Sequence, residues 1–124
     1  MKTPCITSSG NEGPLQSHLP TYRGLRTPDG RCNVVASGVS GREHPLPLRF
    51  DLRNHSPSGF EWGYNGSGPA QLALALLADA CEDPATALRH CQEFKRDIVA
   101  GFGETWTLTA KDIRCFVDCQ RDGT

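Results

Sequence analysis

The sequence predicts an α+β domain in which a small antiparallel sheet of about three strands packs against three helices. Short β-prone segments separated by turn residues fill the first half of the chain, and helix-periodic apolar segments fill the second half. The two kinds of segment do not alternate, as they would in a parallel sheet built from repeated strand–helix–strand units. The length of 124 residues also fits one domain.

We expect the ordered part to be a single domain at residues 21–120, preceded by a disordered tail at residues 1–20. The tail is rich in Thr, Ser, Gly, Asn and Pro, and its apolar residues follow no period. It also lacks the apolar core of a signal peptide, and no apolar run in the chain is long enough to span a membrane. A cytoplasmic protein without a membrane partner is therefore predicted.

The predicted strands come first. Residues 21–26 and 32–36 flank Thr27-Pro28-Asp29-Gly30, whose proline and glycine suit a tight turn, so the two segments are expected to form a hairpin. A third strand is predicted over residues 46–52, where apolar residues alternate with polar residues or proline. Pro47 has no amide hydrogen to donate, which favours a position at the edge of the sheet.

Three helices are predicted after the strands. Residues 70–80 are apolar on every side, which indicates a central helix covered on most faces, with Pro69 in its first turn. Asp83-Pro84 is an N-cap followed by a first-turn proline and opens a second helix. The third helix is expected after Thr109, which forms a shortened capping box with Asp112. The predicted apolar stripe of the second helix is Leu88, Cys91, Phe94, Ile98 and Val99.

Composition argues against several kinds of chemistry. The net charge is −1 with acidic and basic residues intermixed, whereas nucleic-acid binders carry a basic face and DNA mimics an acidic excess. The six cysteines include no C-x-x-C pair, and the four histidines do not stand at zinc-finger intervals. Cys115 and Cys119 lie one helical turn apart and could share a soft metal, but a second ligand pair is missing. We therefore predict structural thiols and neither a metal nor a cofactor.

The candidate site is the glycine-rich segment that runs into the central helix. A helix N-terminus attracts anions, and Gly66-Ser67-Gly68 would let the backbone approach a phosphate or carboxylate closely. The segment lacks the lysine of a P-loop, and Pro69 removes one amide donor. The other interpretation is a tight loop whose glycines adopt left-handed angles and whose Ser67 caps the helix.

Glu61 stands among three aromatic residues just before these glycines. In an extended segment, Phe60, Trp62 and Tyr64 would face the central helix, and Glu61 would point the other way. A catalytic Glu61 would need a raised pKa and a partner such as His55. One carboxylate and one loop histidine do not define a reaction, so no catalytic residue is assigned. The candidate ion-pair partners of Glu61 are Arg23, Arg26 and Arg49. Trp106, ahead of the third helix, is expected to close the core.

The run F-E-W-G-Y-N-G-S-G-P-A-Q-L-A, from Phe60 to Ala73, resembles the signature of an uncharacterised family of small bacterial proteins met on plasmids, integrative elements and phages. The resemblance extends from about Tyr22 to the C-terminal helix. Where the family has a second glycine in G-Y-G-G-S-G, this chain has Asn65, which tolerates left-handed angles. The signature marks a family and carries no mechanism.

The association with mobile elements implies a role in their conflict with hosts. We therefore expect a non-enzymatic binding protein that docks stoichiometrically on a protein partner, such as a host defence complex that an anti-CRISPR or other anti-defence inhibitor would block. The expected contact surface is the sheet half together with this loop. The alternative is a binder of a phosphorylated or carboxylated small molecule at the same loop. The candidate contact residues are Glu61, Trp62, Tyr64, Asn65, Gly66, Ser67 and Gly68.

Overall fold

The computed structural model describes residues 20–38 and 41–122, with side chains as far as Gln120. This part of the chain forms one four-stranded antiparallel sheet with three helices, so the α+β prediction is confirmed, with four strands instead of about three. The predicted tail lies outside the described residues, apart from Pro20. The strands are β1 (Thr21–Arg26), β2 (Cys32–Ser37), β3 (Glu43–Pro45) and β4 (Thr105–Thr109), in the sheet order β3-β2-β1-β4. The helices are α1 (Ser67–Cys81), α2 (Pro84–Asp97) and α3 (Ala110–Asp122), and a 3₁₀ turn (Val99–Gly101) follows α2.

The hairpin of β1 and β2 has the predicted turn. Its register runs from Thr21 opposite Ser37 to Arg26 opposite Cys32. Gly30 closes the turn in a left-handed conformation (φ +91°), and its amide donates to the Thr27 carbonyl at 2.8 Å. Glycine is the residue that adopts such an angle without strain.

The predicted third strand is wrong in position. β3 covers Glu43–Pro45, while residues 46–52 run away from the sheet. The Leu46 amide still donates to the Val34 carbonyl, but the Leu48 carbonyl accepts from the side chain of Gln71 on α1. The chain leaves the sheet there, and its backbone is bound by a helix side chain in place of a strand. The expected edge position does hold for β3.

The strand β4 was not predicted from the sequence. It pairs with β1 on the side away from β2, with Tyr22 opposite Leu108 and Gly24 opposite Trp106. The alternation T-W-T-L-T fits a half-buried strand, but the capping residues at its end indicate the start of the helix that follows. Trp106 is buried, as expected of a residue that closes the core.

One face of the sheet is buried and the other is open. Tyr22, Val34 and Ala36 are buried on the covered face, where the Tyr22 hydroxyl donates to Asp79 of α1 at 2.7 Å. Leu25 is 48 % exposed on the opposite face. The strands therefore show the one-sided burial expected when helices cover a single face of an antiparallel sheet.

Helix α1 is the core element, as predicted. Every residue from Gly68 to Ala78 is buried, and α2 and α3 both pack against this helix. Its last turn is closed by Arg114 of α3, whose Nε donates to the Ala80 carbonyl at 2.7 Å, a favourable position for a cation at a helix C-terminus. No helix in the described ranges has the length and apolarity needed to cross a membrane.

Both predicted helix caps are confirmed. Asp83 accepts from the Ala85 amide, and Thr109 and Asp112 each accept a hydrogen bond from the other's amide. The predicted apolar stripe of α2 included Leu88, but this residue is exposed, so the prediction is wrong at this position. The buried positions of α2 follow the spacing i, i+3, i+4, i+7, which excludes Leu88. They are Ala87, His90, Cys91 and Phe94.

Candidate functional site: the loop before helix α1

The candidate loop is held by glycines other than those expected. Left-handed angles occur at Gly59 (φ +111°) and Gly63 (φ +86°), whereas Asn65 has no positive φ and Gly66 is extended at φ −157°. The Gly63 amide donates to the Val99 carbonyl at 3.1 Å, which ties the loop to the end of α2. Asn65 therefore does not replace a glycine that the backbone angle requires.

Glu61 pairs with one of the predicted arginines, Arg26. Its Oε1 atom lies 2.6 Å from Nη2 of Arg26 and also accepts the Trp62 amide at 3.1 Å. Arg26 in turn donates to the Trp62 carbonyl at 2.9 Å and to Glu104 at 3.1 Å. The carboxylate thus fastens the loop to the end of β1.

These contacts set the charge state of Glu61. Burial raises its pKa, but the hydrogen bonds from Arg26 and from the Trp62 amide outweigh burial and bring the pKa below its ordinary value. A general acid at neutral pH needs the opposite shift. His55 is not the partner of Glu61. The carboxylate of Glu61 bonds to Arg26 and the Trp62 amide, and the backbone amide of His55 donates to Gln71 at 2.6 Å.

Cys32 is a neighbour of this ion pair that the sequence analysis did not single out. Its side chain lies close enough to Glu61 and Arg26 to feel their charges and lines a groove of about 570 Å³ beside Phe60 and Leu48. Burial raises the pKa of the thiol, and the Glu61 carboxylate raises it further. A protonated thiol is a poor nucleophile, so the groove does not contain an activated cysteine.

Trp62 belongs to the core. It is 1 % exposed, its Nε1 donates to the Gly103 carbonyl at 2.7 Å, and its ring meets that of Trp106 edge-on with centroids 5.6 Å apart. The guanidinium of Arg26 lies 5.1 Å from the centroid of the Trp62 ring, within cation–π distance. A partner could not touch this side chain without opening the fold.

Tyr64 differs from the other aromatic residues of the loop. Phe60 is half-buried and Trp62 is buried, but Tyr64 is 50 % exposed, so the three rings do not share the environment expected of one strand face. The Tyr64 ring lies over Gly66, where a Cβ would come within 2.5 Å of its Cε2 atom. Gly66, which has no Cβ, permits this close approach.

The N-terminus of α1 is formed without a side-chain cap. The N-cap is Gly66, and Ser67 is exposed and does not cap the helix, contrary to expectation. Gly68 is buried against Glu61, since a Cβ on Gly68 would lie 2.6 Å from the Glu61 Cβ. The Glu61 side chain thus covers the helix end at Gly68, and Pro69 has no amide hydrogen, two features that leave fewer backbone donors for an added anion.

Gln71 is a structural residue that the sequence analysis missed. It is fully buried, and its Oε1 accepts the amides of His55 and Ser56 while its Nε2 donates to the carbonyls of Leu48 and Arg53. The side-chain amide therefore satisfies four backbone groups of residues 48–56 at once. A single amide side chain within the otherwise apolar stretch from Gly68 to Ala78 was the available signal.

The described cysteines and histidines do not assemble into a metal centre. Within residues 20–38 and 41–122 there is no group of three or more His, Cys, Asp or Glu side chains placed to hold a metal ion. Cys115 and Cys119 are both exposed on α3. His55 Nε2 is buried without a hydrogen-bond partner, and burial, Arg53 and Lys95 all lower the pKa of His55.

The fold and the loop define a small α+β domain whose most distinctive sequence run is a structural frame around an exposed tyrosine. A known protein family matches nearly the same residues as this domain. Residues 22–118 match a family of unknown function, DUF6166, and the chain belongs to that family. No curated protein and no solved structure matches the chain.

Proposed function

We propose that this chain is a non-enzymatic binding protein that docks on a protein partner through a surface of Tyr64, Asn65 and Ser67. The observation that carries the proposal is the half-exposed ring of Tyr64 in a loop fixed on both sides. Asn65 and Ser67 are exposed beside it. We call these three residues the Tyr64 surface.

The Tyr64 surface suits docking because contacts on both sides hold its loop rigidly. Glu61 is bound to Arg26, Trp62 to Gly103, and Gly63 to Val99. An aromatic side chain presented on a fixed backbone loses little conformational entropy on binding, and tyrosine is enriched among the residues that dominate interface energies. Asn65 and Ser67 add hydrogen-bonding groups at its rim.

The ionisable residues nearby do not support an enzyme. Glu61 is held ionised by Arg26, the pKa of the Cys32 thiol is raised, and the buried Nε2 atom of His55 has no hydrogen-bond partner among the described residues. The Cys32 thiol lies beside Glu61, but its raised pKa leaves it protonated, so the arrangement lacks the activated nucleophile that covalent catalysis requires.

A small-molecule site at the N-terminus of α1 has less support. Gly68 and Pro69 are buried, and the side chain of Glu61 packs against Gly68. The Glu61 side chain covers the Gly68 backbone, and Pro69 has no amide hydrogen to donate to a phosphate. The exposed tyrosine is better explained by a protein partner.

The partner class that we propose is a host defence complex, for which an anti-CRISPR or other anti-defence inhibitor would be one form. This part of the proposal rests on the resemblance of the signature to proteins of mobile elements, and on no contact in the structure.

The test is affinity capture with two matched variants. Tyr64→Ala removes the proposed anchor, and Phe50→Ala removes a similarly exposed ring, 40 % exposed, outside the Tyr64 surface. The unchanged chain and Phe50→Ala should recover the same partner from a bacterial lysate, and Tyr64→Ala should not. Recovery of no stable partner, or equal recovery with Tyr64→Ala, would refute the proposal.

A further inference from the structure

The outer edge of β4 is a row of unpaired backbone groups. In an antiparallel pair, alternate residues direct their N–H and C=O groups towards the same neighbour. The Arg26 amide donates to the Glu104 carbonyl at 3.0 Å, so Glu104 and, two residues on, Trp106 face β1. Thr105 and Thr107 therefore direct their backbone groups away from the sheet, and no strand in the described ranges pairs with β4 on that side.

The edge of the sheet formed by β3 is protected against pairing with another strand, whereas the edge formed by β4 is not. β3 has only three residues, and its outward-facing positions are Glu43, which is charged, and Pro45, which has no amide hydrogen. Short length, charge and proline are the devices that keep an edge strand from pairing with another chain. β4 has five residues, T-W-T-L-T, without a charge or a proline.

We propose that β4 pairs antiparallel with β4 of a second copy of this chain, which joins two four-stranded sheets across a two-fold axis. The register that fits places Trp106 opposite Trp106 of the other copy, and Thr105 opposite Thr107. Each Thr105–Thr107 pair exchanges two backbone hydrogen bonds, so the contact contains about four. All the outward-facing donors and acceptors at these positions are then satisfied.

The strand itself argues for a second copy as the occupant. A strand without charge can lie beside its own copy without repulsion, and a two-fold contact requires a surface that is complementary to itself. The contact ends at Thr109 because its amide already donates to Asp112 at 3.1 Å. Two short strands bury far less area than a standard interface of about 1,600 Å², so the dimer should be weak and concentration-dependent.

The test measures amide hydrogen exchange and sedimentation of the full chain over about a hundredfold range of concentration. The amides of Thr105 and Thr107 should become protected as the dimer forms, while the Trp106 amide, already bonded to β1, should not change. Thr107→Pro deletes an outward amide hydrogen without removing a bond to β1, and should abolish the dimer. Thr107→Val keeps that amide and should dimerise normally.

A chain that stays monomeric at all concentrations would overturn the proposal, and so would a dimer in which the Thr105 and Thr107 amides remain unprotected. If Thr107→Pro does not fold, the exchange data on the unchanged chain decide the question alone. The outcome is independent of the proposed function, because Tyr64 lies outside β4 and its role is tested by capture of a different protein.

Discussion

The Nη2 atom of Arg26 lies 2.6 Å from Oε1 of Glu61, and this ion pair joins the end of the first strand to the loop before α1. The pair explains the one charged residue in a signature that is otherwise uncharged. Glu61 fixes the backbone from which Tyr64 projects, so its contribution to binding would be indirect.

Glu61→Gln should lower the free energy of unfolding by about 1 kcal/mol at neutral pH, a value kept small because the pair is partly open to solvent. The pKa of Glu61 is lower in the folded state, so the unfolded chain binds more protons. The stabilisation is therefore complete above the ordinary pKa of 4.5 and is lost as the pH falls through the folded value. Urea unfolding between neutral and acidic pH measures both effects.

Glu104→Gln is the control for that experiment, since Glu104 contacts the same arginine but its side chain is 73 % exposed. We expect little change in its unfolding free energy. Equal losses for the two variants would show that Glu61 is merely another surface carboxylate.

Gln71→Leu should be far more damaging, with a loss of about 3 kcal/mol or more. It keeps the helix apolar but leaves the amides of His55 and Ser56 and the carbonyls of Leu48 and Arg53 without their partner. Gln92→Leu, on the exposed side of α2, is the matched control and should be nearly neutral. Denaturant unfolding compares them, and a stable Gln71→Leu would contradict the assigned role.

Gly24→Ala should destabilise the protein by about 2 kcal/mol through overpacking. The indole of Trp106 lies across Gly24 on the neighbouring strand, and a Cβ at that position would overlap the ring. Gly38→Ala, where a Cβ would meet open space, should have almost no effect. The melting temperatures of the two variants test this contact, and an unchanged value for Gly24→Ala would refute it.

Thiol labelling should separate the cysteines by their surroundings. Cys115 and Cys119 are exposed and should react quickly with a thiol reagent. Cys91 is buried, and burial raises the pKa of its thiol, so its modification should require unfolding. Cys32 should react at an intermediate rate. Peptide mass mapping after timed labelling checks this order, and rapid labelling of Cys91 would contradict the packing of α2.

Local patterns predicted much of this fold. The hairpin turn at Gly30, the largely apolar α1 and the caps at Asp83 and Thr109 follow from chemistry within a few residues. The ends of the sheet did not follow from local patterns. The chain after β3 is bound at Leu48 by Gln71, and β4 pairs with β1, and both partners are distant in sequence.

At the candidate site, too, local patterns were predictable and contacts between distant residues were not. The sequence marked residues 59–69 as unusual, and it placed Glu61 beside one of three arginines. It could not separate Trp62 from Tyr64, because both are aromatic and two positions apart. Only the packing of Trp62 against Trp106, which is far along the chain, makes one residue buried and leaves the other exposed.

The most direct test of the account compares the unfolding free energies of Trp62→Ala and Tyr64→Ala. If the signature is a structural frame that presents a tyrosine, Trp62→Ala should lose about 3–5 kcal/mol, and Tyr64→Ala should lose less than about 1 kcal/mol. A Tyr64→Ala variant as unstable as Trp62→Ala, or a Trp62→Ala variant as stable as the unchanged chain, would contradict it.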